Sequence, residues 1–384
     1  MEPPSLPMAA KDWTTTSLHR VLCMQGGEGD VSYVNNSDSQ ALAITLSKPI
    51  LISSLQSIKL FSSPVIRITD LGCATGSNTF ATVDTVVETL RRLFTAVYGG
   101  GSPEFEAFFC DLPSNDFNML FRLLSEKQKV DTPNYFAGGV AGSFYDRLFP
   151  RGTIHVAVSL SALHWLSQIP GKVLNKGSIT WNKGKTWIEG AKKEVVDAYA
   201  EQSDKDLDDF LKCRKEEMVE GGVLFVLMGG RPSGSSSQFG DQDTRAKHPF
   251  TTTMEQAWQD LIDEGLIDEE TRDGFNIPAY MRSPEEVAAG IERIGGFKIE
   301  KMEYMKIVEH SDEKQEEWKK DPVSYGRART NLVQAAIRPM VEVYLGLDLC
   351  DELFKRYENR VSTTREFLHI TCFFGLVAFS AIRI

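Results

Sequence analysis

Apolar residues fall in two alternating patterns along this chain. Short apolar runs at Val65–Asp70, Glu104–Cys110, Thr153–Ser159 and Val223–Gly229 predict strands, and Tyr135–Val140 a short strand or turn. Between the first two, Phe80, Val83, Val86, Val87, Leu90 and Phe94 recur at helical spacing. That pattern predicts a helix capped by Ser77 and stopped by the glycines of YGGGSPE. Upstream, Ser17–Met24 reads as a short helix and Gly26–Asp30 as a turn. The charged stretch Lys172–Glu220 predicts a long helical region, ended by Gly221-Gly222 before the strand VLFVLMG. The Ser/Gly-rich stretch Arg231–His248 predicts a loop. Met254–Leu266 and Pro284–Ile294 have amphipathic helical spacing, Phe297–Ile307 reads as a strand, and Asn331–Phe354 as a helical pair. His310–Lys320 has the charge pattern of a solvated face. The apolar run Phe367–Ile384 alternates and is rich in aromatics, which suits a buried last strand better than a membrane anchor.

Strands that alternate with helices as far as Met228 predict an α/β domain on a mostly parallel sheet. The later helices are then expected as a cap over the ligand edge of the sheet, contributed mainly by residues 170–220 and 250–295. Residues 1–16 contain three prolines and lack the basic and apolar regions of a secretory signal, and are expected to be a disordered leader to one domain, 17–384.

Chemistry concentrates at Val65–Phe80, VIRITDLGCATGSNTF. A strand ending in Asp70, a turn with Gly72 and Gly76, and a helix opening at Ser77-Asn78 would let backbone approach a ligand at a helix N-terminus. G-x-x-x-G lacks the first short gap of the dinucleotide fingerprint, and no Lys-Ser/Thr pair follows to make a phosphate loop. With an acid just before the first glycine, the stretch resembles motif I of S-adenosylmethionine-dependent methyltransferases. Asp111 ends the second strand, where a carboxylate can accept from both hydroxyls of a ribose. Ser161, His164 and Trp165 follow the strand Thr153–Ser159 at its carboxyl end, the side on which open α/β sheets bind ligands. The alternative is that His164 and Trp165 are packed core at a helix start. Ser37 and Gln40 match a helix capping box, or else face a ligand.

At 384 residues, with 42% apolar and 25% charged residues, the chain has ample material for a core. A net charge of −11 without a Lys/Arg block argues against nucleic acid or an anionic membrane as the main partner and leaves small acids open. Cys23, Cys73, Cys110, Cys213, Cys350 and Cys372 are scattered without C-x-x-C spacing. Neither a zinc site nor a disulfide framework is suggested, and a reducing, cytoplasmic compartment fits.

The stretches MQGGEGDVSYVNNSDSQ, DLGCATGSNTF, CDLPSNDFN, GSFYDRLFP, LHWLSQIP, WNKG and DGFNIP together resemble the plant SABATH family of carboxyl and N-methyltransferases. Within that family the whole sequence is most similar to the gibberellin carboxyl methyltransferases. The resemblance implies a Rossmann-like class I methyltransferase sheet with an α-helical cap, and a homodimer. It places S-adenosylmethionine contacts on Tyr33, Ser37, Asp70, Cys73, Asn78, Asp111, Leu112, Ser143 and Phe144. It gives carboxylate positioning to Gln40 and Trp165, with Ser161 and His164 also against the substrate. Gln at position 40 favours an acid over a purine nitrogen. Ser161 stands where salicylate-type relatives carry a Tyr, which implies space for a bulky acid such as a gibberellin, with indole-3-acetic, jasmonic or salicylic acid, or a non-catalytic hormone-binding role, as alternatives. The magnesium site of some relatives maps to Asn182, Asp273, Asn276 and the backbone carbonyl of Phe275. Gln25 and Ser77 depart from the Lys and Pro common in the family.

Overall fold

A computed structural model describes residues 21–57, 63–99, 102–128, 134–235, 238, 250–369 and 373–384. The expected leader, the first half of the helix expected at Ser17–Met24, and most of the loop Arg231–His248 lie outside them. Residues 21–24 are not helical.

Seven strands form one sheet: β1 Val65–Leu71, β2 Glu104–Asp111, β3 Phe136–Ala141, β4 Ile154–Leu160, β5 Met218–Gly229, β6 Phe297–Val308 and β7 Phe373–Arg383. Their spatial order is β3-β2-β1-β4-β5-β7-β6. The first five are parallel, while β7 runs antiparallel between β5 and β6. The sheet is therefore mixed at one edge, where the last two strands widen it. The C-terminal apolar run supplies the inserted strand β7, whose central residues are buried on both faces.

The chain steps outward from β1 to β2 and β3, then returns to the other side of β1 with β4. That reversal opens a crevice at the carboxyl ends of β1 and β4, the usual ligand position in such sheets. Every residue of β4 is buried, as expected for a central parallel strand.

Helix α1 (Asp38–Gln56), α2 (Ser77–Tyr98) and α3 (Phe117–Lys127) are the first three among the described residues. Phe80, Val83, Val86, Val87, Leu90 and Phe94, the spaced residues of α2, are all buried in one cluster with Ile66, Phe105 and Val156 of the sheet. Gly76 rather than Ser77 occupies the N-cap, and Gly99 stops the helix at φ 68°. On the opposite face, Leu207, Phe210 and Leu211 of α4 (Lys193–Glu217) and Val287 and Ile291 of α7 (Pro284–Ile294) meet Leu224, Val226 and Phe379. Helices α5 (Thr251–Asp263) and α6 (Glu269–Gly274) lie between α4 and α7 in the chain; α8 (Asp312–Lys320), α9 (Pro322–Leu345) and α10 (Leu347–Thr363) follow. A separate apolar cluster joins Val195 and Tyr199 of α4, Trp258 of α5 and Phe275 with Val341, Leu353 and Tyr357 of the last two helices.

Two further expectations need correction. The region Lys172–Glu220 is helical only from Lys193 to Glu217, because Gly184 (φ 77°) and Gly190 (φ 68°) turn the preceding chain after a short 3₁₀ turn at Gly171–Leu174. Gly221-Gly222 does not stop that helix either. Both lie inside β5, where Ile154 pairs with Met218 and Val156 with Val223, so the surplus residues bulge out and Gly221 takes φ 80°.

Candidate functional site

The turn after β1 is built by close approach. Gly72 (φ 84°) donates its N–H to the Cys110 carbonyl at 2.8 Å, and a Cβ there would lie 2.3 Å from Cβ of Ala162. Only glycine fits both the backbone and the space. Ala74 and Ser161 are the only described non-glycine residues with positive φ, at 49° and 54°, and both line the resulting cleft. Backbone strain of this kind gathers at ligand sites.

Of the nine residues expected against the cofactor, Tyr33, Asp111, Leu112, Ser143 and Phe144 line this cleft. Asp111 holds a distinct posture: one carboxylate oxygen accepts from Ala74 N–H and the other from Leu112 N–H, both at 2.8 Å. The remaining lone pairs stay available for hydroxyl donors. Phe144 is fixed edge-on against Tyr145 and Phe210, and Ser143 Oγ accepts from Tyr145 N–H.

The other four, Ser37, Asp70, Cys73 and Asn78, are not among the residues that line it. Asp70 is buried and accepts from Thr79 Oγ1 at 2.5 Å, while its second oxygen has no hydrogen-bond partner. Cys73 is buried and turned onto the Ala74 carbonyl. Asn78 Nδ2 donates to Ser37 Oγ at 3.2 Å, tying the start of α2 to the start of α1. Tyr33, buried beside Ala74 and Ala335, stands where this cleft meets a second cavity.

The second cavity shares Met24, Tyr33, Ser161 and Trp165 with the first. It brings together Gln40, Ser161, His164 and Trp165, all four residues expected against the substrate. Ala43, Met281, Ile307, Phe374 and Leu376 make the rest of it largely apolar.

Ser37 is the N-cap residue of α1 but makes no side-chain cap bond, so the capping box does not form. The Gln40 amide oxygen is buried without a partner, which leaves this side chain free to face the cavity. His164 Nδ1 accepts from Gly229 N–H at 3.3 Å, which puts the ring proton on Nε2. Burial and, after it, the Arg282 guanidinium lower its pKa to about 4, so the ring is neutral. The Trp165 backbone is held at three points: its N–H donates to the Ala162 carbonyl, its carbonyl accepts from Tyr145 Oη, and it bridges to Ala279. Gln40, His164 and Trp165 each carry a neutral N–H donor and line the same largely apolar cavity, a set of groups suited to holding an anion without protonating it.

Sequence reading did not single out the residues that brace this segment. Arg282, 1% exposed, donates to the carbonyls of Leu163 and Ser203, and Asp206 accepts from both the N–H and Oγ of Ser167. Tyr145 lay within a recognised stretch; Arg282 and Asp206 carried no sequence signal.

Asn182, Asp273, Phe275 and Asn276 do come together, all buried, but they do not fit a cation. The one carboxylate, Asp273, accepts through a single oxygen, Oδ1, from Gly184 N–H at 2.9 Å, and the same oxygen pairs with the Arg272 guanidinium at 2.8 Å, which sets a positive charge against the site. Asn182 Nδ2 donates to Asn276 Oδ1 at 2.7 Å, so that oxygen is engaged as well. A hard divalent ion needs oxygens free of competing donors and of an adjoining positive charge. No group of three or more His, Cys, Asp or Glu side chains arranged for a metal occurs among the described residues. The cluster reads as a buried polar joint between two turns.

Burial pushes Asp70 up to about 7 and Asp111 up to about 6, with the charge of Asp111 adding to the rise at Asp70. An acid with a raised folded-state pKa contributes stability below the ordinary carboxylate range and loses it as pH rises through the folded value. Hydroxyl and ammonium donors favour the ionised forms and should bind better as these groups deprotonate. Affinity for S-adenosylhomocysteine is therefore expected to rise about tenfold between pH 5 and pH 7.5. Calorimetry across that range checks it, and Asp111→Asn should flatten the dependence.

Parallel strands that reverse order at β1, a glycine turn, an acid closing the second strand and a joined apolar cavity fit an α/β enzyme that brings an adenosine cofactor to a small molecule, as methyltransferases do. The profile of the SAM dependent carboxyl methyltransferase family matches residues 19–381, and the chain belongs to that family. It is 87% identical to gibberellic acid methyltransferase 2 of Arabidopsis thaliana, over all of both chains. Gibberellic acid methyltransferase 1 of the same plant is 60% identical, over 97% of this chain and 100% of that one. Among solved structures, loganic acid methyltransferase with SAH superposes with a TM-score of 0.80 at 31% identity, covering 94% of this chain and 98% of that one. The seven-stranded sheet with flanking helices is accordingly the class I methyltransferase fold.

Proposed function

We propose that this enzyme forms the methyl ester of a gibberellin carboxylate. The observation that carries the reading is the second cavity: apolar walls, neutral donors from Gln40, His164 and Trp165, and Ser161 where a ring would fill space. Its likeness to two gibberellic acid methyltransferases supports the same substrate class.

S-adenosylmethionine supplies an electrophilic methyl group on a sulfonium. Asp111 and Leu112 would hold the adenosine portion, with Phe144 against adenine and Tyr33 at the junction of the two cavities. Asp70, Ser37, Cys73 and Asn78 would shape the wall behind the amino-acid end. A carboxylic acid with a pKa near 4 is ionised at neutral pH, so no general base is required. Catalysis then rests on orientation, which can supply up to roughly 7–11 kcal/mol. Gln40 and Trp165 aim the oxygen through neutral N–H groups that do not quench its nucleophilicity by proton transfer. The apolar walls exclude water from an attack in which opposite charges cancel.

We assign residues 17–384 to one methyltransferase domain, with the cap drawn from 170–220 and 250–295. The apolar cluster that continues from these segments into Val341, Leu353 and Tyr357 supports including α9 and α10 in it. A cytoplasmic homodimer completes the reading. Free thiols at all five described cysteines support a reducing compartment, and no described helix is long and apolar enough to cross a membrane. The Arg272 guanidinium beside Asp273 opposes a divalent ion at the expected magnesium site, and the transfer needs none.

The test is radiolabelled methyl transfer to a panel of gibberellic, indole-3-acetic, jasmonic and salicylic acids, with base-labile product as the mark of an ester. Preference for another acid overturns the gibberellin reading, and no ester from any acid overturns the reaction. Ser161→Tyr should lower kcat/KM for gibberellins by about tenfold or more, since an overfilled apolar site costs about 1–3 kcal/mol. Unchanged turnover on gibberellins would remove Ser161 from the pocket.

A further inference from the structure

One residue of the cavity is used by nothing described so far. Gln238 is 3% exposed and lines the cavity beside Met281 and Gly229. It is held at two points: its backbone N–H donates to Glu189 Oε2 and its side-chain Oε1 accepts from Met281 N–H, both at 2.7 Å. A backbone N–H can only donate, so the amide oxygen must face Met281 and the planar amide directs its NH₂ elsewhere. That Nε2 is buried and has no hydrogen-bond partner. An unpaired donor in a largely apolar wall is destabilising until a ligand supplies an acceptor.

We infer that Gln238 is a specificity-determining residue that donates a hydrogen bond to a second, uncharged oxygen of the substrate, a lactone carbonyl or a ring hydroxyl, distinct from the carboxylate that is methylated. The inference rests on the reading of this cavity as an acid site. Gln40, His164 and Trp165 come from α1 and the segment after β4, whereas Gln238 comes from the segment after β5 and is anchored independently of them. The two polar contacts can therefore read two separate groups on one skeleton. A site built to donate to a substrate oxygen discriminates against the analogue lacking it more sharply than an apolar wall does.

The experiment measures binding of gibberellins that differ by one oxygen function at a time, with and without the lactone and with and without a ring hydroxyl, to protein saturated with S-adenosylhomocysteine. Wild type should favour one oxygenated member over its deoxygenated partner by about tenfold, and that member identifies the oxygen read. Gln238→Glu keeps an acceptor for Met281 N–H but loses the donor; Gln238→Met loses both. Both variants should bring the ratio to within about twofold of unity. A ratio preserved in both variants, with methyl transfer to gibberellin intact, overturns this inference and leaves the proposed function standing. Absence of gibberellin methyl ester in wild type overturns the function and the inference together.

Discussion

Gln40→Leu is expected to lower kcat/KM for the acid substrate by roughly 10- to 100-fold while leaving the melting temperature and S-adenosylhomocysteine affinity nearly unchanged. A hydrogen bond to a charged group contributes about 1.5–3 kcal/mol, which sets that range. Two readings of Gln40 predict opposite patterns. As half of a capping box it would stabilise α1, and its loss would cost about 1 kcal/mol of stability with activity kept. The structure removes that reading, because Ser37 makes no side-chain cap bond and its hydroxyl instead accepts from Asn78. Gln40 lines the substrate cavity without lining the cofactor cleft, so the two affinities should separate. Trp165 lines both, and Trp165→Phe, which deletes only the indole N–H and some area, should show a similar loss in kcat/KM with a smaller effect on the cofactor. The double variant should lose less than the product of the two single losses, since the two donors act as a unit on one carboxylate. Stopped-time radiolabel assays, calorimetry and thermal melts measure the three quantities. A drop in melting temperature with retained turnover would return Gln40 to a structural role.

The legible part of this site was the part carried by local periodicity. The order strand, glycine turn, helix placed Asp70, Gly72 and α2, and the acid after EFEAFFC placed Asp111, because each depends on residues adjacent in the chain. Side-chain roles were less legible where several segments converge. Ser37 and Gln40 have the spacing of a cap, yet the hydroxyl that would cap is drawn to Asn78 on another helix. Asn182 and Asp273 have the chemistry of metal ligands, but Arg272 sets a positive charge against the carboxylate and shares its Oδ1 with Gly184. Arg282 and Gln238 gave no signal at all, since their partners are backbone groups far away in sequence. Gly221-Gly222 misled for a related reason: a glycine pair after a charged run stops helices, and the same pair also accommodates a bulge when the flanking residues are pulled into a sheet.

Gly72→Ala should cost both stability and cofactor affinity, by an amount that its partner at Ala162 controls. The new Cβ would sit 2.3 Å from Cβ of Ala162, far inside the contact distance of about 3.5–4.0 Å for carbon atoms. The position also has φ 84°, where a Cβ adds about 1–2 kcal/mol of backbone strain. Overpacking of this kind costs about 1–3 kcal/mol, so the combined loss is about 2–5 kcal/mol. Relief by movement is restricted on each side. Gly72 N–H is tied to the Cys110 carbonyl, and Ala162 follows Ser161, whose N–H donates to the Leu227 carbonyl at 2.7 Å. Whichever side yields, a wall of the cofactor cleft shifts, because Gly72, Ser161 and Ala162 all line it. S-adenosylhomocysteine affinity should therefore fall by tenfold or more, and a thermal melt should show the loss in the ligand-free protein as well. Adding Ala162→Gly removes the opposing carbon but not the backbone strain, so the double variant should recover the steric share and keep the remaining deficit. Recovery of neither stability nor affinity in the double variant would show that the left-handed backbone at Gly72, and not the approach of β1 to the segment after β4, is what demands glycine there.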